Sequence, residues 1–234
     1  MNPLPHAMLA DEVRQELHWP EWVRVHAIVG GLAPDAHRVL PGVSFRSLHF
    51  RSRRKIGERL RDFLSEYLRP VLQMGGQDEQ AYWIGWLSHV VSDTIWQRML
   101  RTELSDFWAS CTSPDRAYAM AMRAEYQKAC DRVDNEIAAG QPEYFAELRW
   151  MLRSANPTYD LYPLNPVVLN EWLGKVTADA LPPPPPDGPG TPLITLEFVR
   201  RAMEEAREET LAIVHREMEI VQQTAGDMIE NNSP

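Results

Sequence analysis

The chain has 234 residues, with 33 acidic and 24 basic side chains, a formal net charge of -9 and 44% hydrophobic residues. That apolar share is enough for a buried core and excludes a disordered tail or a fibre. The acidic balance opposes avid binding to nucleic acid or an anionic membrane, because the mean field repels polyanions.

Cys111 and Cys130 are the only cysteines. Two thiols make neither a disulfide framework nor a thiolate zinc site, and they predict a reducing, cytoplasmic setting. Met1 to Ala10 lacks a basic cluster followed by an apolar run, so no secretory leader is expected. No long uninterrupted apolar run predicts a membrane span, so no integral membrane contact is expected.

In chain order, helical periodicity dominates. Pro5 to Leu17 reads as a first helix, with Met8, Leu9, Val13 and Leu17 near one side. Glu21 to Leu32 reads as a second that stops before Pro34. Leu40 to Leu48 reads as a loop, and Arg51 to Leu68 as a helix ended by Pro70. Arg51, Arg53, Arg54, Lys55, Arg59 and Arg61 make this stretch basic, either as a solvated face or as an attractor for a phosphate ester.

Gln77 to Leu100 is predicted as the helix that carries chemistry. Asp115 to Ala138 follows, with Ser113 as cap and Pro114 in the first turn; Gly140 and Pro142 end it. Glu143 to Arg153 and Asn165 to Ala180 are two further helices. Pro182 to Pro186 with Asp187-Gly188-Pro189-Gly190 is a stiff spacer. It leads to an amphipathic helix, Leu196 to Ile229, expected to fold back on the body or to pair with a second copy as a homo-oligomer. The expected architecture is an all-α bundle of about seven or eight helices with irregular crossovers. It divides into a metal-binding domain over 1–181, a spacer over 182–194 and a C-terminal helix over 195–234.

The sharpest local signal is the segment from Gly85 to Asp93. Residues four apart share a helix face, so His89 and Asp93 can offer a nitrogen and an oxygen to one cation, or simply bond each other. Gly85, one turn earlier, has no side chain to obstruct a ligand. Trp83, Trp86, Val90 and Trp96 would bury this helix, so a carboxylate on it needs a positive partner, hydrogen bonds or a metal. Asp35 and His37 lie in a turn after the second helix, His49 precedes the basic stretch, and His6 opens the first helix. Zinc accepts such a mixture of nitrogen and oxygen ligands, and manganese or iron also tolerates it.

The order Pro5-His6, Leu32-Ala33-Pro34-Asp35, His49-Phe50, Tyr82 to His89 and then Asp93 resembles the zinc-dependent phospholipase C family in its broad bacterial form. The resemblance covers roughly residues 3–135. It implies an all-helical, phospholipase C/P1 nuclease-like fold with Asp35, His49, His89 and Asp93 around one zinc. His6 would help hold a second ion, with Asp93 shared between the two. Glu125 matches a glutamate of a further ion, but Ala121 and Gln97-Arg98 stand where the family places histidines. One well-formed site with a weaker second is therefore expected.

The activity implied is hydrolysis of a phosphate ester or phospholipid by a metal-activated water, with Asp35 as ligand or proton acceptor. Two alternatives are a metal-stabilised binding or regulatory protein without catalysis, and a structural protein with an internally bonded polar cluster. His37 either replaces a ligand, orients Asp35 or faces water. His18 and His26 read as packing or surface residues, and His215 as unrelated to the site. Tyr126 and Asp131 are candidates to close the pocket.

Overall fold

Asn2 is extended and Pro3 takes the first helical position, where a missing N–H costs little, so α1 runs Pro3–Glu16. The structure is a computed structural model describing residues 2–39, 48–49, 56–157, 164–180 and 193–230. The described residues form an all-α fold. The basic run at 51–55, most of the 40–48 loop and the 182–190 proline spacer lie outside them.

His18, with a φ of 54°, turns the chain after α1 and is exposed. A 3-10 turn at Glu21–Val23 leads to α2 (Arg24–Leu32), and a second 3-10 turn, Ala33–Arg38, follows at once. The stretch expected to stop at Pro70 goes on. After α3 (Ile56–Phe63), a π turn at Leu64–Leu68 resets the ladder, and Pro70 falls in the first turn of α4 (Arg69–Met74), where proline is tolerated.

The long central helix α5 spans Gln77–Glu103, and a short helix that periodicity missed, α6 (Ser105–Cys111), follows directly. The cap of α7 (Arg116–Gly140) is Asp115, whose carboxylate accepts from Ala117 and Tyr118 N–H. Ser113 and Pro114 therefore stand before the helix, a correction to the expected cap. Next come α8 (Pro142–Ser154) and α9 (Pro166–Lys175), capped by Asn165 and closed by a π turn at Val176–Ala180. The last helix, α10, spans Leu196–Glu230.

α5 lies at the centre, packed on α1, α2 and α10, and its contact with α2 is the most extensive. Backbones touch there. A Cβ on Gly85 would stand 2.0 Å from the Ala27 carbonyl oxygen, and one on Gly30 would stand 1.9 Å from that of Tyr82. Gly85 thus serves helix approach rather than clearing space for a ligand, as its spacing from His89 suggested. Asp11 fastens α1 to α2 by accepting from Arg14 Nε at 3.0 Å and Arg24 Nε at 2.8 Å.

Two indoles fix the ends of segments that carry the site. Trp86 Nε1 donates to the Leu48 carbonyl at 3.1 Å, and Trp172 Nε1 donates to that of Leu32 at 2.8 Å. The first anchors the residue before His49; the second anchors the end of α2 just before the Asp35 turn.

α10 buries Phe198, Val199, Ala202, Met203 and Val214 in the same core as α1, α2 and α5. Arg69 Nη2 lies 2.7 Å from the buried Glu217 carboxylate, Arg201 Nη2 lies 2.6 Å from Glu103, and Arg98 pairs with Glu205. Among the described residues no helix is long and apolar enough to cross a membrane.

Candidate metal centre

Five sequence-predicted residues from four segments meet in one buried cluster. His6 comes from α1, Asp35 from the 3-10 turn, His49 from beside the pinned Leu48, and His89 and Asp93 from α5. All five are buried. The ring of His6 stacks on that of His89 with centroids 3.7 Å apart, and His49 meets His89 edge-on at 4.9 Å. His49 Nε2 is 3.0 Å from His89 Nε2, 3.4 Å from Asp93 Oδ2 and 3.9 Å from Asp35 Oδ1. His6 Nε2 is 3.7 Å from Asp93 Oδ1.

Hydrogen bonding fixes two of the imidazole tautomers. His89 Nδ1 lies 2.7 Å from the Gly31 carbonyl, which can only accept, so Nδ1 carries the proton and Nε2 keeps its lone pair toward the cluster. Ser92 Oγ donates to the His89 carbonyl at 2.9 Å. Its other contact, His6 Nδ1 at 3.0 Å, is therefore an N–H donated to it, and His6 Nε2 is likewise left as an acceptor. That nitrogen is buried without a hydrogen-bond partner among the described residues. A buried acceptor left so costs about 1–3 kcal/mol, which a cation would offset.

Burial, followed by the charge of His89, holds His6 well below the usual histidine range. Burial likewise lowers His89 to about 4, against the pull of Asp93 and the Gly31 hydrogen bond. Both rings are thus neutral near pH 7, the form that binds metal. Burial raises the Asp35 carboxyl, with Arg38 opposing and Asp93 adding to the rise.

His6, His89 and Asp93 form one ligand triad, and Asp35, His49 and His89 form another. His89 offers a single lone pair, so one ion alone can use it, and the two triads overlap rather than forming independent sites. Nitrogens on one tetrahedral zinc stand about 3.3 Å apart, close to the spacing of His49 and His89. These buried histidines and aspartates can hold a metal ion.

The chain matches no family model, no curated protein and no solved structure.

Glu125 is not brought to the centre. Its carboxylate pairs with Lys128 Nζ at 2.9 Å, and its side chain is 42% exposed, because it sits on the outer side of α7; this corrects its place among the ligands. His37 stays at the rim, donating from Nδ1 to the Pro34 carbonyl at 3.1 Å, with Asp35 Oδ1 3.9 Å away. Four residues that sequence reasoning passed over complete the site: Gly31, Ser92, Trp86 and Arg38. The Gly30-Gly31 pair inside a helix was the readable signal for the first, since only a close neighbour makes two adjacent helical glycines useful.

Asp35 and Asp93 border a cavity of about 360 Å³ whose apolar walls include Trp96, Leu100, Phe107 and Trp108. The unforeseen α6 supplies two of these residues. Tyr126 closes part of the wall and accepts from Trp96 Nε1 at 2.6 Å. Asn2 reaches the same cavity and donates to Asp131 Oδ1 at 2.9 Å.

Asp134, one turn from Asp131, is raised to about 7 by burial, opposed by a hydrogen bond with Asn2, and its Oδ2 has no hydrogen-bond partner among the described residues. A carboxyl whose pKa is raised in the folded state contributes stability below its unfolded pKa near 4, and that contribution is lost as pH rises through about 7. Asp134→Asn removes the term, so the melting temperature is expected to fall less between pH 5 and pH 8 in the variant than in the parent. Thermal melts at the two pH values check this; equal pH dependence would show that Asp134 titrates normally.

Proposed function

We propose that this chain is a zinc-dependent phosphoric-ester hydrolase, a phospholipase C-like phosphodiesterase. One observation carries the reading. Two histidine lone pairs and two carboxylates face one buried space, and that space borders a cavity large enough for an organic ester. Zinc suits this nitrogen and oxygen set; manganese and iron compete for it, and metal analysis separates the three.

His49, His89 and Asp93 would hold the primary ion, and His6 would support a weaker second one through Asp93. A divalent cation bound there supplies Lewis acidity toward a phosphoryl oxygen and acidifies a water. Asp35 has the position and basicity of a proton acceptor: it borders the cavity, and burial has raised its pKa. The aromatic wall excludes water and accommodates an apolar branch of a phosphate ester or phospholipid. Both cysteines are buried free thiols, which agrees with a reducing, cytoplasmic setting.

Asp35→Asn is expected to retain zinc and lose about a hundredfold or more in turnover of a phosphodiester. Metal content measured beside steady-state rates on a panel of mono- and diesters provides the check. Loss of zinc in parallel with rate would make Asp35 a ligand instead of a base, and full activity in the variant would remove it from the reaction.

A second reading is a metal-stabilised helical binding protein without catalysis. The outward-facing Glu125 favours it, because the resemblance gives that residue to a further ion. Zinc that raises the melting temperature while every ester in the panel stays intact would select this reading.

A further inference from the structure

We infer that Arg38 is the phosphoryl-binding residue of the cavity, gripping a nonbridging oxygen of a phosphate group presented to the cluster. The identity of that group rests on the hydrolase reading; the position of the guanidinium does not. Arg38 closes the 3-10 turn that presents Asp35, three residues on, so one short rigid element carries both. The Asp35 side chain is 5% exposed and that of Arg38 is 43% exposed, so the cation stands at the boundary between the buried carboxylates and the open space. It lines the cavity together with Asp35 and Asp93.

Arg38 Nη2 lies 3.0 Å from Asp35 Oδ2, but Oδ2 accepts no hydrogen bond among the described residues, so the contact is a charge pair without donor alignment. The guanidinium donates no hydrogen bond among the described residues, so N–H groups not facing Asp35 are placed to meet a further acceptor. Its carbon stands 5.9 Å from the centre of the Trp172 ring, and that ring is itself fixed by its bond to the Leu32 carbonyl. A planar cation held on an indole at the end of a rigid turn is preorganised for bidentate contact with a tetrahedral oxyanion. Arg123, another arginine lining the cavity, spends Nε on the Cys111 carbonyl at 2.9 Å and sits on α7 rather than on the Asp35 turn.

The charges point the same way. Asp35 and Asp93 place two carboxylates beside the cavity, which oppose the entry of a phosphate. A divalent ion held by the cluster would offset these carboxylates, and Arg38 would supply attraction next to it.

The test is calorimetric titration of inorganic phosphate into zinc-loaded native protein, Arg38→Met and Arg38→Lys, with zinc content and melting temperature measured on each. The Met variant is expected to keep its zinc and melting temperature while phosphate binds about tenfold to a hundredfold more weakly. The Lys variant should recover part of that loss, since it keeps the charge without the fork. Phosphate binding that is the same in native and Met proteins overturns the assignment, as does a native protein that binds no phosphate. A protein that takes up no zinc yet binds phosphate through Arg38 overturns the hydrolase reading and leaves this assignment standing.

Discussion

Gly85→Ala is expected to lower the melting temperature sharply. The new Cβ would sit 2.0 Å from the Ala27 carbonyl oxygen and 2.9 Å from the Gly31 nitrogen, and both are backbone atoms that cannot rotate aside. Overpacking against movable side chains costs about 1–3 kcal/mol. Here two helices must separate, so the cost lies above about 3 kcal/mol, or roughly 6–12 °C for a chain of this size.

The separation also draws the Gly31 carbonyl away from His89 Nδ1, so zinc affinity should fall with stability. Gly140→Ala is the control: a Cβ there meets nothing within 4 Å. It should melt within a degree or two of the parent, as expected of an unhindered glycine. Circular dichroism melts of the three proteins decide the matter. A Gly85→Ala protein as stable as the parent would contradict the close approach of α2 and α5.

His89→Ala has the second largest expected effect, and it falls on metal rather than on stability. His89 belongs to both triads and offers the one lone pair they share. Its loss should reduce zinc affinity more than about a hundredfold, beyond the range seen when only the partner of a ligand is removed. Ser92→Ala measures that smaller effect in the same protein. Without the hydroxyl, the His6 Nδ1–H loses its acceptor, and an expected weakening of about tenfold to a hundredfold follows. Competition titrations with a zinc chelator rank the parent, Ser92→Ala and His89→Ala. A Ser92→Ala protein that binds zinc as the parent does would show that His6 needs no fixed tautomer.

Some of this was readable from residue order. The i, i+4 spacing of His89 and Asp93 gave their shared face, because a helix fixes that geometry locally. Burial of the face followed from the surrounding tryptophans. Convergence of His6, Asp35 and His49 on it is a long-range fact. It depends on the Trp86 bond to Leu48 and the Trp172 bond to Leu32, which join residues 38 and 140 positions apart. No periodicity encodes those.

The errors have local causes. Glu125 sits on α7, which is polar along much of its length, so the apolar pattern did not say which face turned inward; Lys128, three residues on, took the carboxylate outward. α6 has seven residues, too few for two turns of pattern to accumulate. The sequence relates Gly85 to His89 on its own helix, whereas across the interface it faces the Ala27 carbonyl and the Gly31 nitrogen. Pro70 reads as a stop in sequence because a π turn, which shifts the hydrogen-bond register before it, leaves no mark in composition.

His6, Asp35, His49, His89 and Asp93 are expected to hold a cation together. Equilibration with zinc, removal of the excess, elemental analysis and X-ray absorption at the zinc edge test it most directly. At least one ion per chain is expected, with a nitrogen and oxygen shell at about 2.0–2.1 Å, absent from His89→Ala. A chain that retains no zinc, or one whose zinc is held by sulfur at about 2.3 Å, would contradict it.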